Sequence, residues 1–543
     1  MPAATIPKLL VANRGEIAAR IFRTCERLGI ATVAVHAPDD AGAFHTRRAD
    51  EVAPVSGYLD ADDVVRAARE TGAAAIHPGY GFLAENGDFA EAVRAAGLVF
   101  VGPPPEAIRA AGDKLAAKRL AREAGVPVVE SGDPEEIGFP LIVKAAAGGG
   151  GRGMRVVRSA AELEEAAASA EREAAAGFRD GRVFYERYLE RPRHVEIQLL
   201  ADRHGAAVHL GERDCSVQRR HQKVLEESPS PALDEGLRAE MGAAALALAR
   251  AVGYENAGTA EFMLAGGRFY FLELNARLQV EHPVTELVTG LDLVELQLRI
   301  AAGEPLALAP REPEGHAVEA RLYAEHPLTF LPQAGRLERL ELPEGIRVDA
   351  GVEAGDEVPV AYDPLIAKLV AHAETRDEAL AELSRALAAT RVAGATTNLG
   401  FLRWLVDHPE VRAGRATTAF LAEHPPLSPA PRRLPAWSGR WRLNRDRGAP
   451  PPAPAPPPTV EATAHAAEGG HEQSALVAPM PGVVVRVLAG EGDRVEPRQP
   501  LLVLEAMKME TPLLSPYEAV VRRLHVAEGD RVASGAVLVE LEE

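Results

Sequence analysis

The sequence predicts a multidomain chain of α/β and α+β character that closes with a small all-β barrel. Three observations carry this. Strand and helix patterns alternate from residue 8 to about 112, strand-bounded glycine and hairpin signals fill 113–314, and residues 474–543 contain an internal repeat of short strands. At 543 residues the chain exceeds one domain, and 47% apolar with 26% charged residues suits chains that bury proper cores. A formal charge of −19 opposes non-specific binding to nucleic acid or anionic membrane, so anion-binding side chains have to be grouped locally. Cys25 and Cys215 are the only cysteines, which leaves no disulfide framework or zinc set and fits a reducing cytoplasm. The N-terminus shows no signal-peptide h-region, and no apolar run approaches the ~20 residues of a membrane span.

In the first segment, residues 8–12 form a short apolar run read as a buried strand, and Ile17, Ile21, Cys25 and Leu28 share one helical face. Strands are expected at 31–36, 73–77 and 98–102, with helices at 60–70 and 88–96, which implies a parallel sheet covered by helices. The first strand is followed by Asn13-Arg14-Gly15-Glu16 and not by G-x-G-x-x-G, so a dinucleotide site is not expected. His77-Pro78-Gly79-Tyr80-Gly81-Phe82 follows the third strand. It reads either as a ligand-contacting turn at a strand's carboxyl end or as a turn with one aromatic plug.

The second segment opens with a strand at 139–144, a run of four glycines at Gly148–Gly151 and a second strand at 154–157. Glycines let backbone N–H groups approach phosphates closely. Without Lys-Ser/Thr or a following helix this is no Walker loop, and strand, glycine loop, strand suggests a lid folding over a nucleotide. Further strands are expected at 183–189, 194–200 and 206–212. The stretch from Arg213 to Lys223 is dense in basic and amide groups and reads either as a pocket for small anions or as a solvated charge run. Strands at 259–264 and 269–274, joined by Ala265-Gly266-Gly267-Arg268, form a hairpin that sets Glu261 opposite Glu273, with Asn275 on the same face. Facing carboxylates repel. A divalent cation is the expected compensation, and oxygen-only ligands suit Mg²⁺ or Mn²⁺ bridging to phosphates; an exposed carboxylate pair is the competing reading. Arg277, Gln279 and Glu281 then alternate, so an extended segment would aim an arginine and a carboxylate into one cavity. They would hold and deprotonate a small oxyanion, or form a structural salt bridge.

Near the C-terminus, Glu505-Ala506-Met507-Lys508-Met509-Glu510 reads as a hairpin tip holding Lys508 out between two strands. With its flanks, it resembles the biotin attachment site of biotin carboxyl carriers. The repeat surrounds it: Glu491-Gly492-Asp493-Arg494-Val495 recurs as Glu528-Gly529-Asp530-Arg531-Val532, while Pro479 matches Pro516, Val484 matches Val521 and Leu501 matches Leu538. Two similar halves suggest a flattened barrel with pseudo-twofold symmetry, a fold shared with lipoyl carriers.

Residues 8 to about 424 are similar to biotin carboxylases, ATP-grasp ligases. The matching stretches include NRGEIAAR, HPGYGFLAEN, GGGGRGMRVV, RPRHVEIQ, RDCSVQRRHQK, LELNARLQVEHPVTE and GHAVEARLYAE. The resemblance implies a Rossmann-like N-terminal subdomain (5–112), an ATP-grasp domain with a glycine-rich lid (113–314), a C-terminal mixed subdomain (315–424), a Pro/Ala-rich linker (425–473) and a biotinyl carrier domain (474–543). In the five-glycine form of the lid the first position would be glycine; here it is Ala147.

The same resemblance implies residue roles. Lys114 and Lys144 would hold ATP phosphates, with Gly150 and Gly151 closing over them. Glu186, Arg187, Tyr188 and Leu189 would form the hinge at the adenine, and His194, Gln218 and His221 would complete the nucleotide site. Glu261, Glu273 and Asn275 would bind Mg²⁺ (or Mn²⁺). Lys223, Arg277, Gln279 and Val280 would hold bicarbonate, Glu281 would be its base, Arg321 would face biotin, and Lys508 would carry biotin covalently. Asp363 would be a carboxylate supporting the site or a turn initiator.

The expected function is ATP-dependent carboxylation of biotin with bicarbonate. The product would pass to a separate carboxyltransferase (β) subunit acting on acetyl-, propionyl- or 3-methylcrotonyl-CoA, in an oligomeric complex, after a biotin protein ligase has loaded Lys508. A pyruvate-type carboxylase subunit and a non-catalytic carrier with a degenerate ATP-grasp domain are the alternatives. Trp437–Asn444 resembles the opening of the partner-docking domain of longer acyl-CoA carboxylase α subunits, but the stretch between it and the carrier is too short to hold that domain.

Overall fold

The computed structural model describes residues 6–146, 154–178, 181–219, 222–308, 312–327, 329–359, 361–425, 475–480, 482–506, 509–532 and 535–542. Gly150, Gly151, His221, Lys508, Trp437–Asn444 and nearly all of the expected linker lie outside these residues.

Five strands open the chain: β1 (Lys8–Val11), β2 (Ala31–His36), β3 (Glu51–Pro54), β4 (Ala75–His77) and β5 (Val99–Phe100). They form a parallel sheet in the order β3-β2-β1-β4-β5. Leu9, Leu10 and Val11 are fully buried, as a strand covered on both faces requires. The helix Gly15–Leu28 buries Ile17, Ile21 and Cys25, while Leu28 is only partly covered. β3 was not expected. Only Ala53 of its four residues is buried and it ends in proline, so this edge strand leaves no hydrophobic signal.

A small antiparallel sheet follows, β7-β6-β8, made of β6 (Leu141–Ala145), β7 (Arg155–Val157) and β8 (Val183–Arg187). β6 and β7 are the strands expected on either side of the glycine run. In β6, Leu141 and Val143 point into a core shared with Ile137, Val157 and Ala170, so alternation turns Lys144 to the other face.

The central element is an eight-stranded sheet. Its first members are β9 (Arg193–Ala201), β10 (Ala207–Arg219), β11 (Gln222–Ser228), β12 (Asn256–Ala265), β13 (Arg268–Asn275) and β14 (His316–Tyr323). Beyond β14 come β15 (Gly335–Arg336), β16 (Arg339–Glu341), β17 (Arg347–Ala350), β18 (Glu357–Val358), β19 (Leu365–Ala373) and β20 (Arg391–Ala393). The order is β13-β12-β9-β10-β11-β14-β19-β17, and β15–β18 and β16–β20 form two small pairs. The sheet crosses residue 314, so segments expected to be separate share one hydrogen-bonded layer through the β11–β14 pairing. A core running from Leu10 and Ile76 to Phe262 and Phe271 likewise joins the first sheet to the central one.

The C-terminal barrel has eight short strands: β21 (Ala475–Val477), β22 (Gly482–Val487), β23 (Arg494–Val495), β24 (Pro500–Ala506), β25 (Met509–Leu514), β26 (Ala519–Leu524), β27 (Arg531–Val532) and β28 (Val537–Glu542). Its sheets are ordered β21-β28-β26-β23 and β25-β24-β22-β27. Exchanging each strand with the one four places away maps one sheet onto the other, which is the pseudo-twofold expected from the repeat. The matched pairs Val484/Val521 and Leu501/Leu538 are all buried in its core. The β24–β25 pairing extends to Ala506 opposite Met509. The barrel borders a large cleft against the central sheet, with Val483, Val485, Glu505 and Arg531. Arg531 lies 3.9 Å from Asp39, and Leu331 joins the barrel's core. Among the described residues no helix is long and apolar enough to cross a membrane.

Candidate active site

The hairpin β12–β13 turns at Gly266 and Gly267, with φ of 58° and 72°, the left-handed pair that a two-residue hairpin turn demands. This turn fixes the register that sets Glu261 opposite Glu273 and Thr259 opposite Asn275. Glu196 on β9 lies directly beside Glu261, and Arg213 on β10 directly beside Glu196. One row across four strands therefore reads Glu273, Glu261, Glu196, Arg213. Direct cross-strand partners share a face, so three carboxylates meet there and need counter-charge.

Lys223, from β11, supplies most of it. Its ammonium contacts Glu196 at 2.5 Å, Glu261 at 2.8 Å and Glu281 at 2.5 Å. Burial opposes the charge, but Glu196, Glu261 and Glu281 together hold this lysine well above its ordinary pKa. Arg213, fully buried, donates to Glu196 at 2.5 Å, to Gln198 at 2.7 Å and to the Thr285 and Thr259 hydroxyls. The Glu261 carboxylate also meets His194 Nε2 at 2.9 Å and Gln279 at 3.1 Å, while Gln218 donates to His194 Nδ1 at 2.8 Å. Burial would raise Glu261, yet Lys223 and His194 hold it far below the usual carboxylate range.

Glu281 precedes the helix His282–Thr289, with Pro283 in its first turn, and its carboxylate is clamped between Lys223 and Arg321, the latter at 3.0 Å. Burial again works for protonation, but these two cations keep Glu281 well below its ordinary value. Arg321 on β14 is also paired with Glu226 at 2.5 Å, and its Nε has no hydrogen-bond partner among the described residues. Burial pushes Glu226 up to about 7 despite Arg321. Arg277 is held by Glu85 at 3.0 Å and donates to Asn275 and Gln279, both at 3.0 Å.

At the other end of the cleft, Lys144 lies 2.7 Å from Glu186, which also pairs with Lys118, and Lys114 stands 3.8 Å from Glu273. Burial, reinforced by Lys144, brings Lys118 down to about 8. Val129, Ile142, Phe184, Leu189, Met263 and Leu272 give the cleft its apolar wall, and Phe184 stacks under Lys118. The whole cleft measures about 1850 Å³.

Sixteen of the expected residues line it: Lys114, Lys144, Arg187, Tyr188, Leu189, His194, Gln218, Lys223, Glu261, Glu273, Asn275, Arg277, Gln279, Val280, Glu281 and Arg321. Glu186 does not, because its buried carboxylate faces inward to tie two lysines together. Three expectations need correction. The described residues of the stretch, 213–219 and 222–223, form neither one anion pocket nor a solvated run. They are a strand end and a strand start in which Arg213 and Arg219 are buried on Glu196 and Glu325, leaving Gln218, Gln222 and Lys223 in the cleft. Residues 277–281 are irregular and not extended, although Arg277, Gln279 and Glu281 still converge. The facing carboxylates are not an exposed pair, because Glu261 is buried, where Lys223 and His194 also meet it. Asp363 accepts from Leu365 N at 2.9 Å, as a turn residue does, and it also reaches the cleft wall. Phe82 packs against Tyr58 and Tyr362, and it lines the cleft together with Tyr80 and Gly81. Glu196, Glu226, Glu85 and Lys118 were not foreseen. The first lies in the quoted RPRHVEIQ stretch, but only register reveals its place in the row.

Glu261, Glu273 and Asn275 place side-chain oxygens on one hairpin facing the cleft, and an all-oxygen set with two carboxylates fits a hard divalent cation, which would compete with Arg277 for Asn275 Oδ1.

Four family descriptions match the chain: "Biotin carboxylase, N-terminal domain" over 5–108, "Carbamoyl-phosphate synthase L chain, ATP binding domain" over 113–309, "Biotin carboxylase C-terminal domain" over 319–423, and "Biotin-requiring enzyme" over 474–541. The biotin carboxylase of Halalkalibacterium halodurans is 48% identical over 440 residues, covering 77% of this chain and 97% of the relative. The methylcrotonoyl-CoA carboxylase subunit alpha of Arabidopsis thaliana is 49% identical over 445 residues, and the chain spans only 61% of its length. The propionyl-CoA carboxylase alpha chain of Ruegeria pomeroyi is 48% identical, with 77% and 68% covered. Among solved structures, biotin carboxylase from Campylobacter jejuni superposes with a TM-score of 0.75 at 40% identity, over 77% of this chain and 99% of that one. The biotin carboxylase domain of Hydrogenobacter thermophilus 2-oxoglutarate carboxylase, solved with MgADP and bicarbonate, gives 0.76 at 42%, over 77% and 98%. The chain belongs to the biotin carboxylases, ATP-grasp ligases that carboxylate biotin, and carries on the same polypeptide a domain of the biotin-requiring type.

Proposed function

We propose that this chain is the α-type subunit of a cytoplasmic acyl-CoA carboxylase, carboxylating biotin on its own Lys508 and passing it to a separate carboxyltransferase subunit within an oligomeric complex. The observation that supports this most is the convergence of Lys223, Glu281 and Arg321, with Val483 and Glu505 of the barrel bordering the same cleft. A biotin protein ligase would load Lys508. Propionyl-, 3-methylcrotonyl- or acetyl-CoA would be the final acceptor, in keeping with the names of two relatives.

ATP would lie with its adenine against the apolar wall beside Arg187–Leu189 and its phosphates towards Lys114 and Lys144. Glu261, Glu273 and Asn275 would hold Mg²⁺, which would offset the negative charge of the phosphates. Arg277, Lys223, Gln279 and the backbone of Val280 would hold bicarbonate. Glu281, kept ionised by Lys223 and Arg321, would take the bicarbonate proton as its oxygen attacks the γ-phosphorus and ADP leaves. Phosphoryl transfer asks mainly for positioning and charge cancellation. Arg321 would place fixed positive charge where the ureido oxygen of biotin becomes negative.

The test is to incubate purified, biotin-loaded chain with ATP, Mg²⁺, labelled bicarbonate and a panel of acyl-CoAs. Label should appear on the protein alone, and on an acyl-CoA only after a carboxyltransferase subunit is added. Label on an acyl-CoA without that subunit would overturn the proposed division of labour.

A further inference from the structure

Lys368 lies on β19 and its side chain is fully buried. Its register partner is Arg321, and its strand neighbours Ala367, Leu369 and Val370 are fully buried apolar residues. A leucine would fill such a place without the desolvation an ammonium costs. The ammonium has three neighbours, one from each part of the catalytic region. It donates to the Val280 carbonyl at 2.9 Å, lies 3.2 Å from Glu16 on the first helix, and lies 3.8 Å from Asp349 on β17.

The contact with Val280 matters because of where Val280 sits. Residues 276–281 belong to no helix or strand, so no ladder fixes their backbone. The hydrogen bond that holds the Val280 carbonyl comes from Lys368. Glu16 in turn accepts from the Tyr80 hydroxyl, which faces the cleft. A chain of polar contacts therefore runs from the Tyr80 turn through Glu16 and Lys368 to the peptide that precedes Glu281.

We propose that Lys368 is a positioning residue of the carboxylation reaction: by holding the Val280 carbonyl it fixes the Val280 amide and the Glu281 carboxylate against bicarbonate. This rests on the roles proposed for Val280 and Glu281. Lys368 touches no substrate and acts through the segment it holds.

The test uses the full chain and bicarbonate-dependent ATP hydrolysis with free biotin. Lys368→Met and Lys368→Gln both remove the charge, but only glutamine keeps an N–H donor for the carbonyl. Lys368→Met should raise the KM for bicarbonate about tenfold while the KM for ATP stays within about twofold, because small misplacement of a reacting group is costly and the nucleotide slot is elsewhere. Lys368→Gln should recover most of that loss. Equal defects in Met and Gln would mean that only the buried charge matters, and would overturn the proposal. If neither folds, Lys368→Arg decides. It keeps the charge but pushes the carbonyl away with a bulkier head group, so an unchanged bicarbonate KM overturns the proposal and a selective rise supports it. Glu281→Gln serves as a separate arm. Full turnover there would refute the base assignment, whatever the Lys368 variants do.

Discussion

Replacing Glu281 by glutamine removes one negative charge and keeps the shape. The wild-type carboxylate is fully buried, 2.5 Å from Lys223 and 3.0 Å from Arg321. Loss of a general base costs roughly 10²–10⁴ in rate, or about 3–5 kcal/mol of barrier. Breaking a buried ion pair ordinarily costs about 3–5 kcal/mol of stability as well, but here the stranded cations keep partners. Lys223 retains Glu196 and Glu261, and Arg321 retains Glu226. Glu196 and Glu226 are themselves raised by burial and by the charge of Glu281, so its removal relieves them. The stability loss should stay below about 2 kcal/mol, a melting shift of only a few degrees in a chain this size. Steady-state assays should show bicarbonate-dependent ATP hydrolysis reduced at least a hundredfold with the ATP KM nearly unchanged. A tenfold rise in ATP KM with a large melting shift would show that Glu281 serves the fold, and turnover within threefold of wild type would remove it from the chemistry.

Glu273→Gln should raise the Mg²⁺ concentration giving half-maximal activity, since a charge facing the cleft is lost at constant size; an unchanged Mg²⁺ titration would place the metal elsewhere. Co-expression with a biotin ligase should add one biotin to the intact mass, and Lys508→Arg should abolish it; an adduct that survives in the variant would refute the attachment site. Glu16 supplies a pH prediction. Burial, aided by Asp349 and opposed by Lys368 and Arg347, raises its carboxyl from 4.5 to about 7, with the Tyr80 hydroxyl on the same carboxylate. The folded chain therefore binds this proton more tightly than the unfolded one. Its contribution, about 3 kcal/mol, is fully present below 4.5 and is lost as the pH rises through 7. Chemical denaturation of Glu16→Gln across that window should show a flatter pH dependence than wild type, and superimposable curves would sink the assignment.

Local patterns were legible wherever sequence neighbours decide the structure. The 266–267 glycines fix the hairpin and so the Glu261–Glu273 register, and the EGDRV repeat carries the barrel's twofold. Features built by distant pairing were not. Nothing local announces that β11 pairs with β14 across some ninety residues and so fuses two segments into one sheet. Charged residues inside strands misled most. Glu196, Arg213, Glu226 and Lys368 look like solvated positions in one dimension, yet all four are fully buried because tertiary pairing supplies each with an opposite charge, Glu196 with Arg213, Glu226 with Arg321 and Lys368 with Glu16.

That register also explains how the cleft keeps so many cations charged before any substrate arrives. Lys144 rests on Glu186, Lys223 on three glutamates, Arg277 on Glu85, and Arg321 on Glu226 and Glu281. An isolated buried lysine would shed its proton and lose its use. Pairing prevents this and aims each head group, but it also means that an arriving anion competes with a fixed carboxylate. Glu261 is the shared point of that competition. The same carboxylate that neutralises Lys223 belongs to the oxygen set suited to a divalent cation. On the roles proposed above, a metal that drew Glu261 away would weaken its hold on Lys223 and leave that ammonium more positive towards bicarbonate. Lys223 joins Glu261 at 2.8 Å to Glu196 at 2.5 Å, and Glu196 meets Arg213 at 2.5 Å, so a change of charge at Glu261 is felt along this row as far as Arg213.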